Sequence, residues 1–139
     1  MKHQVLFGIK CSYKDEKNIL KAIKGYLAQF NRTTSTVNKG SMLDARLPYR
    51  IKQFHWNLNK EKGTWFELFP NQDLDNKYFS ENHKECAWLA LALFHYDFQG
   101  YDEKESEKFI VAMLDSTGFA YEILLETDNK ERIKGDAAS

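Results

Sequence analysis

Residues 86–94, CAWLALALF, decide the fold because every side chain in this run is apolar. Ser80 precedes the run and is a favourable helix N-cap, and Glu81 and Glu85 would lie near the positive N-terminal end of a helix. A helix that is apolar on nearly all sides is normally covered on most of them. We therefore predict a central helix that begins after Ser80, contains the apolar run and ends at Gly100.

One more helix and a last strand are predicted C-terminal to this run. The helix begins at Asp102 with an acidic first turn and ends at Gly118. Its inner stripe consists of Phe109, Ile110, Met113 and Leu114. The strand is indicated by apolar side chains at every second position, namely Phe119, Tyr121, Ile123 and Leu125. Residues 128–139 are mostly polar or small, and we expect them to form a flexible C-terminal tail.

A strand and a helix are predicted at the other end of the chain. The strand is indicated by alternating apolar side chains at Val5, Phe7, Ile9 and Cys11. Ser12 and Asp15 are candidate N-caps of the helix that follows. Its apolar stripe consists of Ile19, Leu20, Ile23, Tyr26, Leu27 and Phe30. Residues 31–48 lose this periodicity and begin with many Ser, Thr and Asn residues, so we expect an exposed loop.

A β-hairpin is predicted between that loop and the central run. Apolar and polar side chains alternate strictly from residue 53 to residue 59, which is the pattern of a half-buried strand. Residues 59–63, NKEKG, supply a turn with a glycine available for a positive φ. Residues 64–69 form the return strand.

The predicted order of elements is β-α-β-β-α-α-β, which is typical of an α+β protein. We expect a mixed or antiparallel sheet of about four strands with three helices packed on it. A chain of 139 residues with ten Phe, seven Tyr and three Trp can bury a large core. We place residues 1–127 in a single globular domain.

The charges are segregated along the chain although the formal net charge is +0. Residues 1–62 contain 13 Lys or Arg against 4 Asp or Glu, a balance of +9, and residues 63–139 contain 7 against 16, a balance of −9. Such asymmetry is typical of proteins with charged partners or of self-association. If the basic and acidic residues of the two halves formed ion pairs with each other in the fold, no charged surface would remain for a partner.

The composition indicates a cytoplasmic protein. No apolar run approaches the roughly 20 residues that span a bilayer, and the first residues do not resemble a signal peptide. Cys11 and Cys86 lie far apart in sequence, and in a reducing compartment they are most simply buried apolar side chains. We therefore expect no membrane association and no functional thiol.

The histidines do not predict an active site. His83 and Cys86 have the spacing of metal ligands, but no second pair of His or Cys residues accompanies them. His95 and Asp97 are two residues apart and would point in different directions on a helix. The nucleotide-binding, hydrolase and metalloprotease motifs are also absent from the sequence. We therefore predict no catalytic residue, no metal and no cofactor, and we do not expect an enzyme.

Two groups of residues are candidate partner-binding surfaces. The first is the polar face of the predicted hairpin strand, formed by Gln53, His55 and Asn57. Its hydrogen-bonding groups could contact a peptide, a base or a protein, although antiparallel sheets also commonly have one solvated face. The second group is an acidic region that could bind a basic partner. It comprises Asp97, Asp102, Glu103, Glu105 and Glu107.

Three classes of function remain open on these grounds. The first is a protein-binding or inhibitory protein that acts through a charged surface. By analogy of size, charge and missing motifs, its most plausible form is a bacterial immunity protein that neutralises a basic toxin such as a nuclease. The second is a nucleic-acid-associated protein that uses the basic residues of the first half, and the acidic half counts against it. The third is a small enzyme whose site has no linear motif. We favour the first class.

Overall fold

The computed structural model describes residues 2–29, 54–59, 64–72, 76–95, 103–128 and 133. Among them, five strands and two α-helices follow in the order β-α-β-β-β-α-β. They are β1 (Lys2–Ile9), α1 (Glu16–Ala28), β2 (Phe54–Asn59), β3 (Thr64–Pro70), β4 (Trp88–His95), α2 (Glu103–Asp115) and β5 (Tyr121–Thr127). Neither α-helix, nor any other helix in these ranges, is long and apolar enough to cross a membrane.

The strands form one sheet in the order β2-β3-β4-β1-β5, and every neighbouring pair is antiparallel. The prediction of an α+β fold with a mixed or antiparallel sheet is therefore confirmed, and the sheet is antiparallel. The predicted number of elements is wrong, because the described residues form five strands and two α-helices rather than about four strands and three helices. The predicted hairpin is confirmed as the antiparallel pair of β2 and β3.

The predicted central helix over the apolar run is wrong, since residues 88–95 form the central strand β4. β4 pairs with β1 on one side and with β3 on the other. Trp88 and Ala90 face one layer of the core while Leu89 and Leu91 face the opposite layer, and all four are fully buried. A strand that is covered on both faces needs apolar residues at consecutive positions, and this produces the same pattern as a buried helix.

Both α-helices pack on the same face of the sheet and form the larger core. Ile19, Ile23 and Leu27 of α1 are buried there, as the predicted stripe requires. The two helices touch through the rings of Tyr26 and Phe109, whose centroids are 5.2 Å apart. The predicted inner stripe of α2 is likewise confirmed, with Ile110, Met113 and Leu114 at 0 % exposure and Phe109 packed against the same core.

The opposite face of the sheet is covered by irregular chain. Asn71 anchors this cover, because its buried side-chain amide donates hydrogen bonds to the carbonyls of Ser80 and His83 at 3.0 Å. Phe79 belongs to this covering segment, and its ring packs edge to face on Phe69 of β3 with ring centroids 5.1 Å apart. The residues after Ser80, which were predicted to begin the central helix, therefore cover the smaller core on the face of the sheet opposite the helices.

The end of the chain also contacts this second face. Ile133 is buried, and its backbone N–H donates a 3.0 Å hydrogen bond to the side-chain oxygen of Gln4, which is itself buried. Ile133 belongs to the predicted C-terminal tail. The remainder of that tail beyond Asp128 lies outside the described residues, as does the predicted loop over residues 31–48.

Candidate functional site

His3 is the buried centre of a cluster of ionisable side chains at one end of the sheet. It lies near the start of β1, and its ring stacks on Phe94 of β4 with centroids 6.0 Å apart. Its Nδ1 is 2.8 Å from an Asp128 oxygen, and its Nε2 is 2.8 Å from a Glu126 oxygen. Only 9 % of the His3 side chain is exposed, whereas the two carboxylates lie largely in solvent.

Antiparallel pairing explains why these residues meet. The register of β1 and β5 pairs Val5 with Glu126 and Gln4 with Thr127, so Asp128 comes opposite His3. Glu126 and Asp128 are two residues apart and therefore share one face of the strand. The side chains of residues separated by more than 120 positions in sequence are thus brought to hydrogen-bonding distance by the sheet.

The two carboxylates change the protonation of His3. Burial lowers the pKa of His3, but the hydrogen bonds that its ring donates to Asp128 and Glu126, together with the negative charge of these carboxylates, outweigh burial and raise the pKa above 6.5. A neutral imidazole can donate only one N–H, whereas the imidazolium can donate to both carboxylates at once. In the absence of another cation, the charged form of His3 therefore suits this geometry.

A third acidic residue approaches the same ring from the helical layer. Glu107 of α2 places a carboxylate oxygen 4.0 Å from His3 Nε2, beyond the distance of a hydrogen bond to that atom. The Nε2 atom and one oxygen each from Glu107 and Glu126 all lie within 4.8 Å of one another. Glu107, one of the five residues of the predicted acidic region, thus meets the end of β5 around one histidine.

The exposed apolar side chains lie next to this cluster. Among the described residues, four large apolar side chains are exposed, and three of them are Val111 at 40 %, Ile123 at 56 % and Leu125 at 47 %. The Tyr121 hydroxyl joins their two elements, because it donates a 2.6 Å hydrogen bond to Asp115 and lies 3.5 Å from the Val111 carbonyl. We call the combined region the β5 edge surface, formed by Val111, Ile123 and Leu125 with Glu107, Glu122, Glu126 and Asp128.

The predicted hairpin face contains a second, smaller pairing. His55 Nδ1 lies 3.3 Å from a carboxylate oxygen of Glu67, and the His55 ring is 5.2 Å from the ring of Trp65. His55 is only partly exposed and Glu67 is buried. Of the other two residues of that face, Asn57 is placed by its backbone in β2, and Gln53 lies outside the described residues.

The predicted acidic region is partly described. Glu105 and Glu107 lie on α2, and Glu105 is exposed. Glu103 begins the helix, but its side chain is not described. Asp97 and Asp102 lie outside the described residues. The acidic prediction therefore rests in the structure on Glu105 and Glu107, to which the fold adds Glu126 and Asp128.

Among the described residues, most lysines of the first half are not paired with the acidic second half. Four of them are exposed on α1 and in the short turn before it, and none forms an ion pair with another described residue. They are Lys14, Lys17, Lys21 and Lys24. One lysine does join the halves in a 3.7 Å ion pair between the exposed side chains of Lys10 and Glu122, in addition to the carboxylate contacts of His3 and His55.

The remaining candidates from the sequence have structural roles. His83 accepts or donates a 2.8 Å hydrogen bond with the Ser80 hydroxyl in the segment that covers the sheet. Cys11 and Cys86 are unbonded to each other, although their backbones form an isolated bridge. Burial raises the pKa of both thiols to about 11, which keeps them protonated near neutral pH.

Sequence reasoning missed His3, Glu126 and Asp128. The only signal was the spacing of Glu126 and Asp128 at positions that share a strand face, and its partner depended on a strand order that the sequence did not show. No family model matches the chain, and no curated protein matches it in sequence. The function is therefore argued from the geometry of the described residues.

Proposed function

We propose that this chain is a protein-binding protein that recognises a basic partner through the β5 edge surface, as a toxin-neutralising immunity protein does. The observation that supports this proposal is the combination of exposed apolar residues with surrounding carboxylates. Interfaces commonly have an apolar centre and a polar rim. Ile123 and Glu126 lie on the helical side of the edge strand, and Leu125 and Glu122 lie on its other side. Each side of β5 therefore has an exposed apolar side chain with a carboxylate on the same side.

The position of β5 at an edge of the sheet also supports binding. β5 pairs with β1 on its inner side, and within the described chain no other strand borders its outer side. An edge strand presents backbone hydrogen-bonding groups to which an extended segment of another protein can pair. Binding by strand addition would place partner side chains directly beside Ile123 and Leu125.

The charges of the edge favour a basic partner over a second copy of the chain. The carboxylates of Glu126 and Asp128 are 49 % and 67 % exposed at the end of β5. A second copy would bring the same carboxylates to the edge, and juxtaposed like charges oppose binding. A partner with Lys or Arg at those positions would be attracted instead, and the field would accelerate its association.

The proposal is tested by affinity capture from the native host with purified baits. The wild-type bait is compared with an Ile123→Thr, Leu125→Thr bait, in which threonine keeps the preference for a strand but removes the apolar contact. The matched control is Lys17→Gln with Lys21→Gln on the exposed side of α1. We expect one basic protein to bind the wild-type and control baits and to be lost from the β5 variant.

Direct titration of the captured protein completes the test. We expect the double threonine variant to bind at least about tenfold more weakly, since losing two interface anchors costs more than 1.4 kcal/mol. The rate at which the captured protein associates with the wild-type chain should fall as the salt concentration rises, because attraction between opposite charges accelerates the encounter. A partner that binds the β5 variant and the wild type within twofold would refute the proposed surface. If the wild-type bait retained RNA or DNA and only the lysine variant lost this binding, the result would instead support a nucleic-acid-associated protein.

A further inference from the structure

The cluster around His3 has the donor atoms of a metal site. His3 Nε2, a Glu107 oxygen and a Glu126 oxygen come from β1, α2 and β5 and lie within 4.8 Å of one another. We propose that these three side chains bind a divalent transition-metal ion of the zinc class. This inference goes beyond the proposed protein binding and does not depend on it.

The donor set favours such an ion by its chemistry. One imidazole nitrogen with carboxylate oxygens suits Zn²⁺ and related metals, whereas Mg²⁺ prefers an octahedron of oxygen ligands. The cluster also has an excess of negative charge, because three carboxylates surround one imidazole. A dication bound at Nε2 would take the place of the proton on that nitrogen, and it would reduce the summed charge of the three carboxylates from three negative charges to one.

The distances leave room for an ion with small adjustments. Tetrahedral Zn²⁺ with bonds of about 2.0–2.1 Å holds its ligand atoms about 3.3 Å apart. In the structure His3 Nε2 is 2.8 Å from Glu126 and 4.0 Å from Glu107, so one carboxylate would move outward and the other inward. The side chains of Glu107 and Glu126 are 42 % and 49 % exposed, which allows that movement.

Asp128 contacts the other ring nitrogen of His3, Nδ1, which is not a proposed metal ligand. It lies 2.8 Å from Nδ1, so it accepts a hydrogen bond from Nδ1–H and orients Nε2 toward Glu107 and Glu126. A metal-binding histidine almost always donates its second N–H to a carboxylate or carbonyl in this way. His3 is also fixed by burial and by the stacked Phe94 ring, so the nitrogen ligand is preorganised while the carboxylates adapt.

The other histidine–carboxylate pair and the other donor group fit a metal less well. His55 has one carboxylate at 3.3 Å, and no group of three donor atoms among the described residues includes it. The second group contains Glu85, Cys86 and Glu122. There, burial raises the pKa of the Cys86 thiol to about 11, and the Lys10 ammonium already lies 3.7 Å from Glu122. The His3 cluster is therefore the stronger site.

Three protein ligands leave a fourth position of the tetrahedron for water. Structural zinc sites normally use four protein ligands, whereas sites with three protein ligands keep a position for an exchangeable ligand. The exposed sides of Glu107 and Glu126 place that position toward solvent. The fourth ligand could therefore come from outside the chain.

The proposal is tested on the purified full chain, without a partner, after treatment with a chelator. ZnCl₂ is titrated calorimetrically in the presence of excess Mg²⁺, and we expect one Zn²⁺ per chain. Glu107→Gln is the most informative variant, because its carboxylate is not within hydrogen-bonding distance of Nε2 and its side chain is partly exposed. We expect it to bind Zn²⁺ at least about tenfold more weakly. Asp128→Asn should weaken binding by about 10–100-fold, as does loss of a carboxylate that holds a metal-binding histidine through its other ring nitrogen.

A matched control and a spectroscopic readout separate this site from adventitious binding. His55→Gln removes a histidine that also contacts a carboxylate, and it should bind Zn²⁺ as tightly as the wild type. The ring ¹⁵N resonances of His3, and not those of His55, should shift on addition of Zn²⁺. The proposal is overturned if Glu107→Gln and wild type bind equally, if the His3 resonances do not move, or if several ions bind with no loss in any variant. All of these measurements are made without a partner, so failure of the metal proposal leaves the capture test at Ile123 and Leu125 valid, although the two proposals share Glu107, Glu126 and Asp128.

Discussion

The two edge strands of the sheet bury their apolar side chains to very different extents. On β2, Phe54 and Trp56 are at 0 % exposure in the larger core. On β5, Ile123 and Leu125 are 56 % and 47 % exposed. Both strands are at the edge of the same sheet, so position alone does not explain the difference. One edge is part of the core, while the other retains apolar surface that the fold of the described residues does not use.

A β-bulge explains why the alternating apolar side chains of β5 do not all face the core. Its register with β1 shifts between Leu6 and Phe7, so that Phe7 pairs with Ile123 whereas Leu6 pairs with Leu125. The additional residue in β5 places Ile123 and Leu125 on opposite faces, although they are two positions apart. The regular alternation in the sequence predicted one inward face for both. The bulge therefore divides the apolar residues of β5 between the two sides of the sheet.

The largest expected effect tests whether β2 is part of the core. Trp56→Ala should lower the free energy of unfolding by about 3–5 kcal/mol, because it removes a fully buried ring and leaves a cavity. Urea denaturation measured by circular dichroism would give the value. Trp56→Phe is the control, because it keeps an aromatic ring and removes an indole N–H that has no hydrogen-bond partner among the described residues. A loss below about 1 kcal/mol for Trp56→Ala would contradict the contrast between the edges.

The fold could be predicted from sequence where one face of an element is solvated. α1 and α2 were predicted because their buried residues recur with a period that the solvent-facing residues reveal. The hairpin was predicted from the alternation in β2 and from the glycine-containing turn, since Phe66, Glu67 and Phe69 show that both faces of β3 are buried. β4 was not, because burial on both faces removes the period, and its Ala and Leu residues are good helix formers. Along one face of β4 the side chains are large at the two ends and small between them, in the order Trp88, Ala90, Ala92 and Phe94.

The candidate site was less predictable than the fold. Glu105 and Glu107 were predicted from local acidity, and both lie on α2. The His3 cluster depends instead on which strand borders β1, and no local pattern shows that β5 does so. The positions of Glu126 and Asp128 relative to His3 also depend on the bulge, since a one-residue change of register turns side chains to the other face.

The second prediction concerns the segment that follows β5. Gln4→Leu should cost about 1–3 kcal/mol of unfolding free energy, because the buried N–H of Ile133 would lose its acceptor. Hydrogen exchange at the Ile133 amide should accelerate in this variant while exchange in β4 changes less. If the Ile133 amide exchanged equally fast in wild type and variant, the contact would not hold the C-terminal segment in solution.

The third prediction concerns the apolar side chains of β5 themselves. Ile123→Thr and Leu125→Thr should each change the free energy of unfolding by about 0.5 kcal/mol or less, since half-exposed positions contribute little burial. The same urea denaturation as for Trp56→Ala gives a direct comparison between the edges. A loss near that of Trp56→Ala would show that β5 is also part of the core, and its surface would then be unsuited to a partner.

The smallest expected effect on stability at neutral pH concerns the pKa of the Tyr121 hydroxyl, which lies where β5 meets α2. Burial and a hydrogen bond to Asp115 raise the pKa of Tyr121 from 10.0 to about 12. Because the pKa is higher in the folded chain, the neutral hydroxyl stabilises the fold below pH 10, and that contribution is lost as pH rises through 12. Asp115→Asn removes the negative charge but keeps an acceptor oxygen, so the Tyr121 pKa should fall toward 10 with little change in stability at neutral pH. Tyrosine ring resonances recorded against pH would follow this residue, and an unchanged Tyr121 pKa in Asp115→Asn would mean that α2 does not contact β5 through this pair.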